Sequence, residues 1–217
     1  ITRYFFNYII KMKALNELIE IFSDVDHSLL IKKSLHNKFI RSTLKKRFPK
    51  GLKSAAILLP IIDIEGSLEI LLTKRSTHLT THAGEICFPG GGSEKNDTDV
   101  SMTALRETKE EIGLKESDIK IIGKLPPVPT FTGYIIHPVV GILLGSPEIL
   151  IDRSEVESYF TVPLTFFMNH KNKKEGLWET NDIQLPIVEY QYQNRRIWGA
   201  TAMIISLFCD RLRGEVK

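Results

Sequence analysis

Apolar residues recur at helical spacing through the first part of the chain. The pattern extends from Leu15 to about Lys46 and is interrupted near Asp24-Val25-Asp26. Such spacing predicts two amphipathic helices. Pro49-Lys50-Gly51 then predicts a turn, because proline and glycine favour turn conformations.

The middle of the chain carries apolar runs that predict strands. Glu65-Gly66 predicts a hairpin turn between the first two strands, and a helix is predicted from about Thr98 to Ile112, closed by Gly113 in a left-handed conformation. The predicted strands are 54–63, 68–74, 119–125 and 134–144.

The last third predicts short helices near Ser154 and Pro163, a hairpin around 191–196, and a final helix from Thr201 to Leu212. Helices at both ends of a stranded middle indicate an α/β fold, a mixed sheet sandwiched between helices. We expect residues 1–50 to form a helical extension and residues 51–217 to form the main domain.

The composition is that of an ordinary globular protein. Of 217 residues, 42% are hydrophobic and 25% are charged, which excludes collagen-like and wholly disordered chains. Two cysteines cannot form a disulfide framework, so we expect an intracellular, reducing compartment. The most apolar run, Ile197 to Cys209, is shorter than the roughly 20 residues of a membrane-spanning helix.

Charge is unevenly distributed. Residues 1–55 hold 12 Lys and Arg against 4 Asp and Glu, which raises nucleic acid or anionic lipid as a partner. No nucleic-acid motif supports that reading, and a solvated basic helix is favoured. Residues 1–11 resemble a remnant of a mitochondrial presequence, with Met12 as an alternative start, and the C-terminal residues 214–217 are no peroxisomal signal. We therefore expect the cytoplasm or the mitochondrion.

Three carboxylates in the predicted helix are the strongest candidates for chemistry. Glu107, Glu110 and Glu111 stand at i, i+3 and i+4 and so share one face, opposite a predicted buried face of Met102, Leu105 and Ile112. Converging carboxylates suit Mg²⁺ or Mn²⁺. The alternative is a solvated acidic face without a ligand.

Two neighbouring features favour the metal site. Arg106 precedes Glu107 and can orient its carboxylate through a charge-assisted hydrogen bond. A glycine turn, Phe88 to Gly92, precedes the helix and allows close approach of the backbone to a ligand.

These residues resemble the signature of the Nudix hydrolases, Gly-x5-Glu-x7-Arg-Glu-U-x-Glu-Glu-x-Gly-U, where U is a bulky apolar residue. Its second half matches from Arg106 to Leu114, except that Thr108 replaces an apolar residue. The signature glycine falls on Gly92, and the first glutamate falls on Thr98. Asp97 and Asp99 flank that position, so the acid is shifted.

A second motif resembles the coenzyme A diphosphatase branch of that family. The chain matches Leu-Leu-Thr-x-Arg-[Ser/Ala]-x3-Arg-x3-Gly-x3-Phe-Pro-Gly-Gly from Leu71 to Gly91, with Thr80 in place of the second Arg. The resemblance implies a Nudix-type α/β/α sandwich. It also implies Mg²⁺- or Mn²⁺-dependent hydrolysis of coenzyme A or its thioesters to 3′,5′-ADP and 4′-phosphopantetheine or its acylated form.

The resemblance also implies roles for individual residues. Glu107, Glu110 and Glu111 would hold the metal ion, and Arg106 would orient them. The candidate substrate-binding residues are Lys74, Arg75, His82, Gly90 and Gly91. Glu155 and Glu157 are candidates for a catalytic base outside the signature.

Two other functions stay open. The first is Nudix hydrolysis of another nucleotide, such as NADH, ADP-ribose or an oxidised nucleotide. The second is a nucleotide-binding module without catalysis. We expect a small-molecule partner in each case, and a homodimer is left open.

Overall fold

A computed structural model describes residues 16–22, 38–180 and 183–214. Residues 16–22 are helical and are called α1. The proposed targeting remnant at 1–11, and parts of the predicted N-terminal helices, lie outside the described residues.

The remaining helices are α2 (Lys38–Arg47), α3 (Val100–Ile112), α4 (Leu164–Met168) and α5 (Gly199–Leu212). The strands are β1 (Lys53–Ile64), β2 (Ser67–Arg75), β3 (Ile86–Cys87), β4 (Gly90–Gly92), β5 (Ile119–Lys124), β6 (Val128–Pro129), β7 (Tyr134–Leu143), β8 (Val156–Pro163), β9 (Lys173–Thr180), β10 (Ile183–Tyr192) and β11 (Arg195–Trp198).

The main sheet is mixed, as predicted. Its central order is β3-β2-β1-β7-β5, with β8 beside β2, β4 beside β1 and β6 beside β7. Strands β1 and β7 pair in parallel, and the other pairs are antiparallel. Strands β9, β10 and β11 form a second, antiparallel sheet. The predicted turn between β1 and β2 is confirmed, with positive φ at both Glu65 and Gly66.

Helices cover both faces of the main sheet. Alternate residues of β1 point in opposite directions, so Ala56 and Leu58 pack with α3 on one face, whereas Ile57 and Leu59 face the core that also contains α1 and α5. This arrangement confirms the predicted α/β/α sandwich.

The helix α1 packs on the same core as the rest of the domain. Phe22 is buried and stacks on Phe208 of α5 with ring centroids 5.5 Å apart. Leu18 is also buried, and Arg211 donates a hydrogen bond of 2.8 Å to the Ile21 carbonyl. The proposed division between residues 1–50 and 51–217 stays a prediction.

The predicted helix near Ser154 is wrong. Strand β8 begins at Val156 and pairs antiparallel with β2. Its sequence, Val-Glu-Ser-Tyr-Phe-Thr-Val, is rich in β-branched and aromatic residues, which favour a strand once a partner strand is present. Strand β9 was not predicted, whereas the helix at Pro163, the hairpin at 191–196 and the final helix are confirmed within two residues.

No helix within the described ranges is long and apolar enough to cross a membrane.

Candidate active site

Both ends of α3 are fixed by local sequence. Asp99 accepts a hydrogen bond from the Met102 amide at 2.9 Å and caps the N-terminus, so the helix starts at Val100, two residues after the predicted start. Gly113 has φ of 74° and closes the helix as predicted. The loop between β7 and β8 packs against this end, where Asp152 N–H donates to the Glu111 carbonyl at 2.9 Å.

The buried face of α3 differs from the prediction. Ile112 is buried, but Leu105 is only half-buried and Met102 is exposed. The buried residues are Thr103, Ala104, Thr108, Glu111 and Ile112. Thr108 is tolerated there because its hydroxyl donates to the Ala104 carbonyl at 2.6 Å.

The three glutamates therefore do not share one exposed face. The exposed side-chain fractions are 58% for Glu110, 16% for Glu107 and 2% for Glu111. The carboxylates thus span the rim and the interior of one site, and the solvated alternative does not apply to Glu111.

Arg106 connects these acids to the glycine turn. Its Nη1 donates to Glu107 at 2.9 Å, as predicted, and to Glu110 at 3.2 Å. Its Nη2 donates to the Gly92 carbonyl at 2.9 Å. The guanidinium also binds Asp97 in a bidentate manner, through Nε and Nη2 at 3.1 Å each.

The two acids that flank Thr98 have separate roles. Asp97 is the partner of Arg106, whose hydrogen bonds, together with the Glu94 amide, hold the pKa of the Asp97 carboxyl well below its ordinary value. Asp99 is the helix cap. The acid that is displaced from position 98 is thus used to anchor Arg106.

Glu111 is a buried carboxylate with two partners from the upstream strands. The Gly90 amide donates to its Oε2 at 3.1 Å, and the Arg75 guanidinium lies 3.6 Å from its Oε1. Burial, with the charges of Glu155 and Glu107, raises the pKa of Glu111 to about 8 despite these partners.

Gly90–Gly92 of the predicted glycine turn form the short strand β4, paired antiparallel with β1, instead of a turn. We keep the name glycine turn for Phe88–Gly92, where glycine is required by close approach to these acids. A Cβ at Gly91 would lie 2.5 Å from Glu107 Cδ, and one at Gly90 would lie 2.6 Å from Ile57 Cα. Gly90 also has φ of +152°, which side chains rarely adopt. The predicted close approach of the backbone is therefore made to the carboxylates of α3.

Glu155 and Glu157 differ in their surroundings. The charge of Glu155 raises the pKa of both Glu107 and Glu111, although burial has the larger effect on each. Glu157 instead pairs with Lys74 at 2.7 Å. A β-bulge between β8 and β2 at this point, where Lys74 pairs with Ser158 and Arg75 with Val156, separates the two acids.

The remaining substrate-binding candidates, Lys74 and His82, contact acids outside α3. Lys74 is held by Glu157. His82 lies on the loop between β2 and β3 and contacts Glu85 at 2.9 Å. Thr80 is exposed on the same loop. The structure thus unites Arg75, Gly90 and Gly91 with the α3 acids, and the roles of Lys74 and His82 stay predictions.

The donor set fits a divalent cation. Glu107, Glu110 and Glu111 offer only oxygen ligands, and burial, with a smaller contribution from the neighbouring carboxylates, raises the pKa of Glu107 and Glu111. In the part of the chain that the structure describes, no three His, Cys, Asp or Glu side chains are already gathered as ligands. The carboxylates of Glu107 and Glu110 instead accept hydrogen bonds from Arg106.

The family model described as NUDIX domain matches residues 51–180, more than half of the chain. The chain belongs to the Nudix family. It is 35% identical over 168 residues to an uncharacterized Nudix hydrolase NudL of Photorhabdus laumondii, which covers 77% of this chain and 89% of that protein. It is 37% identical over 155 residues to a NudL of Escherichia fergusonii, with 70% and 79% covered.

Solved structures of this family align with the chain at lower identity. An Ap4A hydrolase of C. elegans aligns with a TM-score of 0.45 and 20% identity, covering 51% of this chain and 80% of that one. A MutT/nudix family protein from Enterococcus faecalis aligns with a TM-score of 0.46 and 14% identity, covering 84% and 71%.

Membership in the Nudix family makes this protein a hydrolase that acts on a diphosphate bond. Nudix hydrolases generally use divalent metal ions such as Mg²⁺ or Mn²⁺ and bind small nucleotide substrates. The acids of α3 and the glycine turn were candidates from the sequence, whereas the role of Asp97 and the contact of Arg75 with Glu111 were not predicted. The only signal for the first was the pair of acids around position 98.

Proposed function

We propose that this Nudix hydrolase cleaves the diphosphate of coenzyme A or its thioesters. The products are 3′,5′-ADP and 4′-phosphopantetheine or its acylated form. A Mg²⁺ or Mn²⁺ ion held by Glu107, Glu110 and Glu111 is part of the proposal.

The contact of Arg75 and Gly90 with Glu111 carries the proposal. Arg75 and Gly90 belong to the Leu71–Gly91 motif that resembles the coenzyme A diphosphatases, whereas Glu111 belongs to the Nudix signature. The two motifs therefore contribute to one site. The choice of coenzyme A over other diphosphates rests on the resemblance of the Leu71–Gly91 motif.

The α3 acids supply the ligands and Arg106 supplies their orientation. When bound there, a divalent cation offsets the charge of the diphosphate and lowers the pKa of a coordinated water. Arg106 holds Glu107 and Glu110 through Nη1 while Asp97 and the Gly92 carbonyl hold its other nitrogens. The orientation of the acids is thus fixed before substrate binds.

Glu155 is the proposed general base. It is close enough to Glu107 and Glu111 to change their pKa values, whereas the charge of Glu157 is matched by Lys74. Water attacks phosphorus, its proton passes to Glu155, and the bond from that phosphorus to the bridging oxygen breaks. Lys74 and His82 are proposed contacts for the anionic substrate, and the resemblance assigns Arg75 to the same group.

A substrate panel with Mn²⁺ tests the proposal. Wild type is assayed on coenzyme A, acetyl-coenzyme A, NADH, ADP-ribose and an oxidised nucleoside triphosphate, with kcat/KM as the measure. The Glu155→Gln and Glu157→Gln variants are assayed in parallel as a matched pair, because both acids are exposed and lie two residues apart.

We expect the highest kcat/KM on coenzyme A or its thioester, and a larger loss of kcat in E155Q than in E157Q. Higher kcat/KM on ADP-ribose or NADH would contradict the coenzyme A assignment. Absence of turnover on every diphosphate would favour a binding module. Equal rates for the two variants would remove Glu155 as the base.

A further inference from the structure

Arg75 lies where it can act on an acid of the site instead of on the substrate. It is the last residue of β2, and its side chain points to the same face of the sheet as Leu71, the face that α3 covers. Its amide is anchored by the Glu85 carbonyl at 2.9 Å. The position of Arg75 is therefore set by the sheet and by the start of the next loop.

The guanidinium of Arg75 lies mostly inside the protein. Its side chain is 23% exposed, and Nη1 is 3.6 Å from Oε1 of the 2% exposed Glu111. Glu111 would otherwise be a buried carboxylate with a single partner, the Gly90 amide on Oε2. A carboxylate must be ionised to hold a cation, and a buried charge needs a matching charge, so Arg75 stabilises the ionised form of Glu111 on the side that Gly90 leaves free.

The neighbouring basic residue is different. Lys74 is 39% exposed and pairs with Glu157 on the rim of the sheet. The two adjacent cations of this motif thus have separate partners, one inside the site and one outside it.

We propose that Arg75 is a positioning residue that acts through Glu111, holding this carboxylate against the Gly90 amide, and that it is not a ligand of the substrate phosphates. The inference rests on the proposed function, in which Glu111 holds the cation. It changes the role that the motif resemblance gives to Arg75.

A double-mutant cycle on Mn²⁺ binding tests this role. The dissociation constant for Mn²⁺ is measured without substrate, from the electron paramagnetic resonance signal of the free ion, for wild type, R75M, E111Q and the double variant. K74M is the matched control because it removes the adjacent positive charge. Thermal unfolding confirms that each variant is folded, and R75K provides a second variant that keeps the charge.

We expect R75M to weaken Mn²⁺ binding by about tenfold or more, as loss of a partner that orients a metal ligand generally does. The same change should have little further effect in the E111Q background, because coupled residues are not additive. R75K should retain most of the affinity, since the contact is an ion pair at 3.6 Å without bidentate geometry. K74M should bind Mn²⁺ like wild type.

Several outcomes would overturn the proposal. They are unchanged Mn²⁺ affinity in R75M, an equal loss in the E111Q background, an equal loss in K74M, or a rise in KM for substrate in R75M with Mn²⁺ binding unchanged. A rise in KM with unchanged Mn²⁺ binding is the outcome expected if Arg75 binds a substrate phosphate.

Failure of the proposed function gives a different result. A wild-type protein that shows the Arg75–Glu111 coupling in Mn²⁺ binding but hydrolyses no diphosphate would keep the proposal and remove the function. Unchanged Mn²⁺ affinity in E111Q would remove both.

Discussion

The Gly90 amide donates a hydrogen bond of 3.1 Å to the Glu111 carboxylate, so the glycine turn fixes the most buried acid of α3. The turn also lies close to Glu107, whose carboxylate occupies the space that a Cβ on Gly91 would need. Backbone and acids are therefore fitted to each other, and small changes in the turn are expected to disturb the chemistry more than the fold.

Gly91→Ala tests this fit. The added methyl meets the flexible end of Glu107, so the side chain is expected to move while the backbone stays in place. Misplacing a catalytic group by about 1 Å can cost on the order of 10²-fold in rate. We expect a loss of that size in kcat with a nearly unchanged melting temperature. Gly92→Ala is the control, because a Cβ there meets nothing within 4 Å; equal losses in both variants would contradict the fit.

Asp97→Asn tests the anchor of Arg106. Loss of the bidentate pair should lower the free energy of unfolding at pH 7 by about 1.5 to 3 kcal/mol, the range for hydrogen bonds to charged groups. It should also lower kcat, because Arg106 orients Glu107 and Glu110. Asp99→Asn is the control, since asparagine caps a helix as well as aspartate does.

The stability effect of Asp97→Asn should depend on pH. The pKa of Asp97 is held below its ordinary value, so its contribution is present above the unfolded pKa of about 4 and is lost as the pH falls through the folded value. Urea unfolding of wild type and D97N should therefore differ most near neutral pH and converge in acid. A difference that does not shrink in acid would contradict the ion pair as its source.

An element of this structure could be predicted from the sequence when residues close to it in the chain determine its conformation. The β1–β2 turn and the Gly113 cap depend on neighbouring residues, and both were predicted. The strand β8 depends on pairing with β2, more than 80 positions earlier, so local pattern alone assigned a helix to its start. Likewise the spacing of the three glutamates could be read from the sequence. The burial of Glu111 could not, because it depends on how α3 is rotated against the sheet.

Thr80→Arg tests the one break in the motif that resembles coenzyme A diphosphatases. Thr80 is exposed, so an arginine can be accommodated without being buried. If this position is near the 3′-phosphate, a charged hydrogen bond of about 1.5–3 kcal/mol should widen the preference for coenzyme A over dephospho-coenzyme A by about tenfold or more. The ratio of kcat/KM values on the two substrates measures this. Thr77→Arg, on the same exposed loop, is the control, and an unchanged ratio in T80R would show that position 80 does not read the 3′-phosphate.

Phe22→Ala tests the attachment of α1 to the core. Phe22 is buried against Phe208, and truncation of such a ring typically costs about 3–5 kcal/mol. Chemical unfolding should show a loss of this size, whereas Glu20→Ala on the exposed side of α1 should change stability by less than about 0.5 kcal/mol. A loss below about 1 kcal/mol in F22A would show that α1 contributes little to the stability of the domain.

We propose that the acids of α3 form the catalytic metal site. The decisive measurement is kcat at saturating Mn²⁺ for Glu111→Gln, compared with Glu116→Gln, which neutralises an exposed acid in the short turn after α3. We expect kcat on the best diphosphate substrate to fall by about 10²–10³-fold in E111Q, the range for loss of a group that stabilises developing charge, and to stay at the wild-type value in E116Q. Near-normal turnover in a folded E111Q enzyme would contradict a metal site on α3.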